Sequence, residues 1–154
     1  MSQGFDPAAL QAAYRQVEEG DPRMRAIRQA IAEAEQAQDF HAQIVFHRDL
    51  IKESVFTGDR YQALIDFPQY YALYENHEEL RDVHRYNVIW TFKWILEAAT
   101  EFPQIPKNQI VQWFSQFRKN CAVQATRSSR FITCGRSFTA ISIWRGCAWI
   151  TRSS

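Results

Sequence analysis

Phe56-Thr57-Gly58-Asp59-Arg60-Tyr61-Gln62-Ala63-Leu64-Ile65-Asp66-Phe67 is the stretch whose reading decides the fold. Its glycine suits the left-handed conformation in which helices commonly end, and the aspartate that follows can accept the unpaired N–H groups at the start of the next helix. The same spacing of an aromatic, a small residue and a second aromatic occurs twenty-one residues upstream, where Asp39 precedes Phe40, Ala42 and Phe46. That interval is one helix plus one turn, and a pair of such helices matches the unit size of helical solenoids, in which small residues let neighbouring helices approach.

Working outward, Asp6-Pro7 and Asp21-Pro22 each place a capping residue before a proline at a first helical position. One helix is predicted over 7–18, stopping at Gly20, and a second from Pro22 with Met24, Ile27, Ile31 and Ala34 on one face. A third, capped by Asp39, is predicted over 40–56 with Phe40, Ile44, Ile51 and Val55 as its stripe, widened by Phe46 and Leu50. The fourth carries Tyr61, Leu64, Phe67, Tyr70, Tyr71 and Tyr74, with Pro68 expected to kink or break it. A fifth, over 78–100, has apolar residues over most of its circumference (Val83, Tyr86, Ile89, Trp90, Phe92, Trp94, Ile95, Leu96) and is expected to be central. Past Pro103 and Pro106, a sixth over 107–120 places Ile110, Trp113, Phe114 and Phe117 at i, i+3, i+4 and i+7.

The turn Gly58-Asp59 with Tyr61, Ala63 and Phe67, the similar Asp39-Phe40 with Ala42, and the run of alternating helices resemble the tetratricopeptide-repeat superfamily, in particular its divergent bacterial members, over residues 8–120. The resemblance implies an all-α fold, antiparallel helical hairpins stacked as a short α-solenoid, and a general role in protein–protein contact. It assigns no binding residues, and the Trp and Leu-Gly signature of the usual first repeat helix is missing.

All seventeen acidic residues lie at or before Glu101, whereas 102–154 hold eight Lys and Arg and no acid. The chain is read as a helical-repeat domain over 1–121 followed by an irregular, poorly ordered segment over 122–154. Three readings of that segment stand: a hairpin with strands at Phe131–Thr133 and Phe138–Ile143, a loosely ordered tail, or sequence shifted in frame near Cys121. For the last, residues 130–136 read one base early can encode Pro-Phe-Tyr-His-Leu-Arg-Ala, which looks like another repeat helix.

Composition narrows the classes of function. Residues 1–101 hold ten Lys and Arg against seventeen acids, which argues against phosphate as their ligand; in the late segment the cations are scattered singly rather than clustered, which weighs against nucleic acid there too. The N-terminus lacks a basic and apolar leader, no apolar run is long enough to span a membrane, and Cys121, Cys134 and Cys147 are too few and too late for a disulfide framework, so a cytoplasmic setting is expected. Five glycines build no phosphate-cradling loop, and there is no nucleophile elbow.

The expectation is therefore a non-catalytic scaffold for a protein or peptide partner, with no cofactor, no metal and no catalytic residues. Candidate contact residues are Ile110, Trp113, Phe114 and Phe117, on a last helix left open to a partner or a second copy, and His47 and Arg48. The latter two lie with His41, Asp49, Lys52 and Glu53 on a mixed polar face, read as wet surface or as a groove lining, with Asp49 and Lys52 as an i, i+3 pair. One rival is a small enzyme or enzyme subunit built on His77, Glu78, Glu79, Asp82 and His84, a group otherwise read as a solvated helix start. Another is a regulator whose basic tail touches nucleic acid.

Overall fold

The computed structural model describes the backbone of residues 4–132 and the side chains of 4–126. They form six α-helices: α1 (Pro7–Arg15), α2 (Asp21–Gln36), α3 (Phe40–Thr57), α4 (Arg60–Asn76), α5 (Glu78–Ala99) and α6 (Lys107–Ile132), with no strand among the described residues. The all-α expectation holds. No helix among them is long and apolar enough to cross a membrane.

Local chemistry places most of the boundaries. The Asp6 carboxylate accepts the Ala8 and Ala9 N–H groups at 3.0 and 3.1 Å, Asp39 accepts Ala42 N–H at 2.9 Å, and Asp59 accepts Gln62 N–H at 3.3 Å. Gly58 closes α3 at φ +94°, where any side chain would be strained. At α2 the cap expected of Asp21 is not made: Asp21 lies inside the first turn, and Gly20 (φ +91°) leads in with its N–H on Glu53 Oε1 at 2.8 Å. α1 stops at Arg15 rather than Glu18. Its last turn tightens as Gln16 and Val17 donate back to Ala13 and Tyr14, and Val17 O is held by Arg23 Nη2 at 2.8 Å.

Two expectations about helix continuity are corrected. α4 runs unbroken through Pro68. The proline stands on its exposed side, where helices curve outward and tolerate a missing bond best, while Phe67, Tyr70 and Tyr71 anchor both flanks in the core. α6 passes through Asn120 and Cys121 to Ile132, because Ala122, Gln124 and Ala125 favour helix and neither Gly nor Pro intervenes. Phe131 and Ile132 are thus helical, not strand. Thr133, the expected strand over 138–143 and the rest of the late segment lie outside the described residues.

Side-chain pairs give the helix directions. Gln43 Nε2 donates to Ala34 O while Ser54 Oγ donates to Met24 Sδ, so α2 and α3 are antiparallel. His41 meets His84 and Phe56 meets Trp94, so α3 and α5 are parallel. Phe67 meets Trp113 and Tyr74 meets Asn120, so α4 and α6 are parallel as well.

Apolar residues gather in two clusters. One joins α1, α2 and α3 around Tyr14, Met24, Ile27, Ile31, Ala34, Phe46 and Leu50; the other joins α3 to α6 around Phe67, whose ring lies 4.8 Å from Phe92 and 5.8 Å from Trp113. α3 belongs to both, giving Ala42, Phe46 and Leu50 to the first and Ile44 and Ile51 to the second. In the repeated pattern the small residue and the second aromatic fill the core, Ala42 and Phe46 in one copy and Ala63 and Phe67 in the other. The first aromatics do not: Phe40 is 39% exposed and stacks on His77, and Tyr61 is 46% exposed against Phe102. α5 is likewise buried on one side only, since Val83 and Tyr86 face solvent.

Candidate binding surface

α1, α3 and α5 touch in sequence through polar and aromatic side chains. At the first seam, Asp49 of α3 accepts the Tyr14 hydroxyl at 2.7 Å and the Gln11 amide at 3.0 Å, with Arg15 Nη2 at 3.7 Å and Arg48 Nη1 at 3.8 Å. Burial, and then the Asp49 carboxylate, hold the Tyr14 hydroxyl well above the ordinary tyrosine range. One turn on, Glu53 takes Gly20 N–H and Arg23 Nη1, the latter at 3.4 Å. The two acids stand i, i+4 on α3 and fasten the α1–α2 corner to it. Asp49 therefore serves this seam rather than the expected pair with Lys52.

Between these elements lies a cleft of about 330 Å³ lined by Tyr14, Arg15, Arg23, Asp49, Lys52 and Glu53, with Phe56 and Thr57 at the α3 end. Asp49 and Glu53 are engaged as acceptors, while Arg15 remains 60% exposed at its side chain. Phe56, 67% exposed, meets Trp94 edge-on at 5.6 Å and carries the surface onto α5. There Tyr86 packs on Trp90, and Lys93 Nζ sits 4.1 Å from the Trp90 ring centre. Such a run of flat rings with cations beside them suits apolar and acidic side chains together.

At the second seam, His84 Nε2 and His41 Nδ1 lie 3.0 Å apart. His84 is buried, and that burial, followed by the electrostatic influence of His41 and Arg48, lowers its imidazole to about 4. His47 is also buried, neither ring nitrogen has a hydrogen-bond partner, and burial alone lowers it to about 4.

The structure redistributes the residues singled out in the sequence. Trp113 and Phe117 are buried at 6% and 5%, with Ile110 and Phe114 packed against the same core, so this stripe faces inward onto α4 and α5 rather than outward. The hydrophobic face needed a cover, and α5 supplies it. Asn120 adds a polar lock, accepting from Tyr74 Oη at 2.9 Å and donating to Tyr71 Oη at 3.3 Å. His47 is not on a wet face, whereas Arg48 remains partly exposed beside Asp49. The group from His77 to His84 divides: His77 Nδ1 faces Glu79 at 3.2 Å near the surface, Asp82 pairs with Arg85, and His84 turns to α3. Among the described residues no three His, Cys, Asp or Glu side chains gather as a metal cluster.

Sequence reasoning missed Phe56, Trp94 and the pairing of His41 with His84. The i, i+4 spacing of Asp49 and Glu53 was a usable signal for one helix face, but nothing local named Tyr14 and Gly20 as their partners. Comparison of the chain with known protein families, curated proteins and solved structures finds no match.

Proposed function

We propose that the protein is a non-catalytic module of the helical-repeat type, related in architecture to tetratricopeptide repeats, which binds a protein or an extended peptide in the cytosol. The observation that carries this reading is the side-by-side contact of the odd-numbered helices. Asp49 with Tyr14 joins α1 to α3, and His41 with His84 and Phe56 with Trp94 join α3 to α5. Their outer sides make one surface crossing three helices, which is the shape an extended chain can follow. Antiparallel neighbours, parallel next neighbours and the repeat of Ala42 and Phe46 as Ala63 and Phe67 support the stacked-hairpin architecture. The exposed Phe56 and Tyr86 and the half-buried Trp90, with Arg15, Lys52 and Lys93 about them, favour a partner segment that alternates apolar and acidic residues.

Selection from a displayed random-peptide library tests this. Enriched peptides should bind the intact chain and lose at least tenfold in affinity against a Phe56→Ala/Trp90→Ala variant of unchanged helix content. Peptides that bind both proteins equally would remove this surface from consideration.

A further inference from the structure

We propose that His41 and His84 form a two-nitrogen site for a divalent transition-metal ion of the Ni²⁺ or Cu²⁺ kind, clipping α3 to α5. The two ring nitrogens already face each other across 3.0 Å. Metal–imidazole bonds are about 2.0–2.1 Å, so two ligands at a right angle around an ion stand about 2.9 Å apart and two at a tetrahedral angle about 3.3 Å apart. The observed separation matches the right angle, the geometry of tetragonal and octahedral ions, and Ni²⁺ and Cu²⁺ also lie high in the general order of affinity for nitrogen ligands. Zinc would require the rings to spread.

Loading requires little rearrangement. In the hydrogen-bonded pair one facing nitrogen carries the proton. For both lone pairs to meet a metal, that ring adopts its other tautomer, with the N–H on the outward nitrogen and no change of charge. His41 is exposed and gives the ion a way in, whereas His84, 3% exposed, is fixed in α5. The Arg48 guanidinium acts electrostatically on His84 and opposes a cation. Since no third His, Cys, Asp or Glu joins the pair among the described residues, the other coordination positions fall to water or to an anionic group from outside.

Equilibrium dialysis of the tag-free chain against NiCl₂ or CuCl₂ at pH 7.5, read together with thermal unfolding, is the test. One ion per chain should bind, and Tm should rise by about 4 °C when free metal reaches ten times Kd. His41→Ala, at an exposed position, and His84→Gln should abolish both effects. His77→Ala, at the separate His77–Glu79 pair, should leave them intact, and Arg48→Ala should lower Kd several-fold. Failure of the intact chain to bind a stoichiometric ion, or an unchanged Kd in His41→Ala, would overturn the site. Neither result bears on the peptide surface, which is read from Phe56 and Trp90.

Discussion

His47 allows a quantitative prediction about pH. Its ring is buried with both nitrogens unpaired, and its imidazole is lowered from the ordinary 6.5 to about 4; His84 is lowered to the same level. Both groups bind protons less readily in the folded chain than in the unfolded one. Their contribution to stability is therefore complete above about pH 6.5 and is lost as the pH falls toward 4. With those two values, each histidine costs about 2 kcal/mol by pH 5, and the two together about 4 kcal/mol, a large part of a typical 5–15 kcal/mol. His47→Leu replaces two unpaired polar atoms with an apolar side chain of similar size. It should leave stability at pH 7.5 within about 1 kcal/mol of the parent and halve the loss on going to pH 5. Urea unfolding followed by far-UV circular dichroism at several pH values between 7.5 and 5 gives both numbers. If His47→Leu keeps the full pH dependence of the parent, the burial argument fails.

Three further outcomes can be measured in the same way. Asp49→Ala leaves the Tyr14 hydroxyl and the Gln11 amide without their acceptor and should cost about 2–3 kcal/mol, with amide hydrogen exchange rising first in α1. Phe67→Ala empties the centre of the second cluster and should cost about 3–5 kcal/mol, with loss of near-ultraviolet dichroism from the surrounding aromatics. Gly58→Ala forces a side chain into a left-handed residue at φ +94° and should cost about 1–2 kcal/mol, although the space around it is open.

Features that depend on a few adjacent residues were legible in the sequence. Asp6, Asp39 and Asp59 cap helices, Gly58 ends one, and the stripe Met24, Ile27, Ile31 and Ala34 is buried, because each follows from local geometry. Misreadings arose where tertiary packing outweighed a local rule. Pro68 loses one bond, but the rings at 67, 70 and 71 hold the helix on either side of it. Ile110, Trp113, Phe114 and Phe117 were correctly seen as one apolar stripe, yet periodicity states only that a face needs cover, not whether α5 or a partner provides it. The surface was less legible still. His41 and His84 are 43 positions apart, and Phe56 and Trp94 are similarly distant, so neither pairing has a local signature.

α3 has a wider consequence. Because opposite sides of this one helix are sealed into different clusters, releasing either set of neighbours would wet half of its apolar surface. The described chain should therefore melt in a single calorimetric transition, with calorimetric and van't Hoff enthalpies in agreement. A ligand seated among Arg15, Lys52 and Phe56 would then protect amides in α5 and α6 from exchange, although it touches neither helix. Binding at one end would be registered across the six described helices through the backbone of residues 40–57.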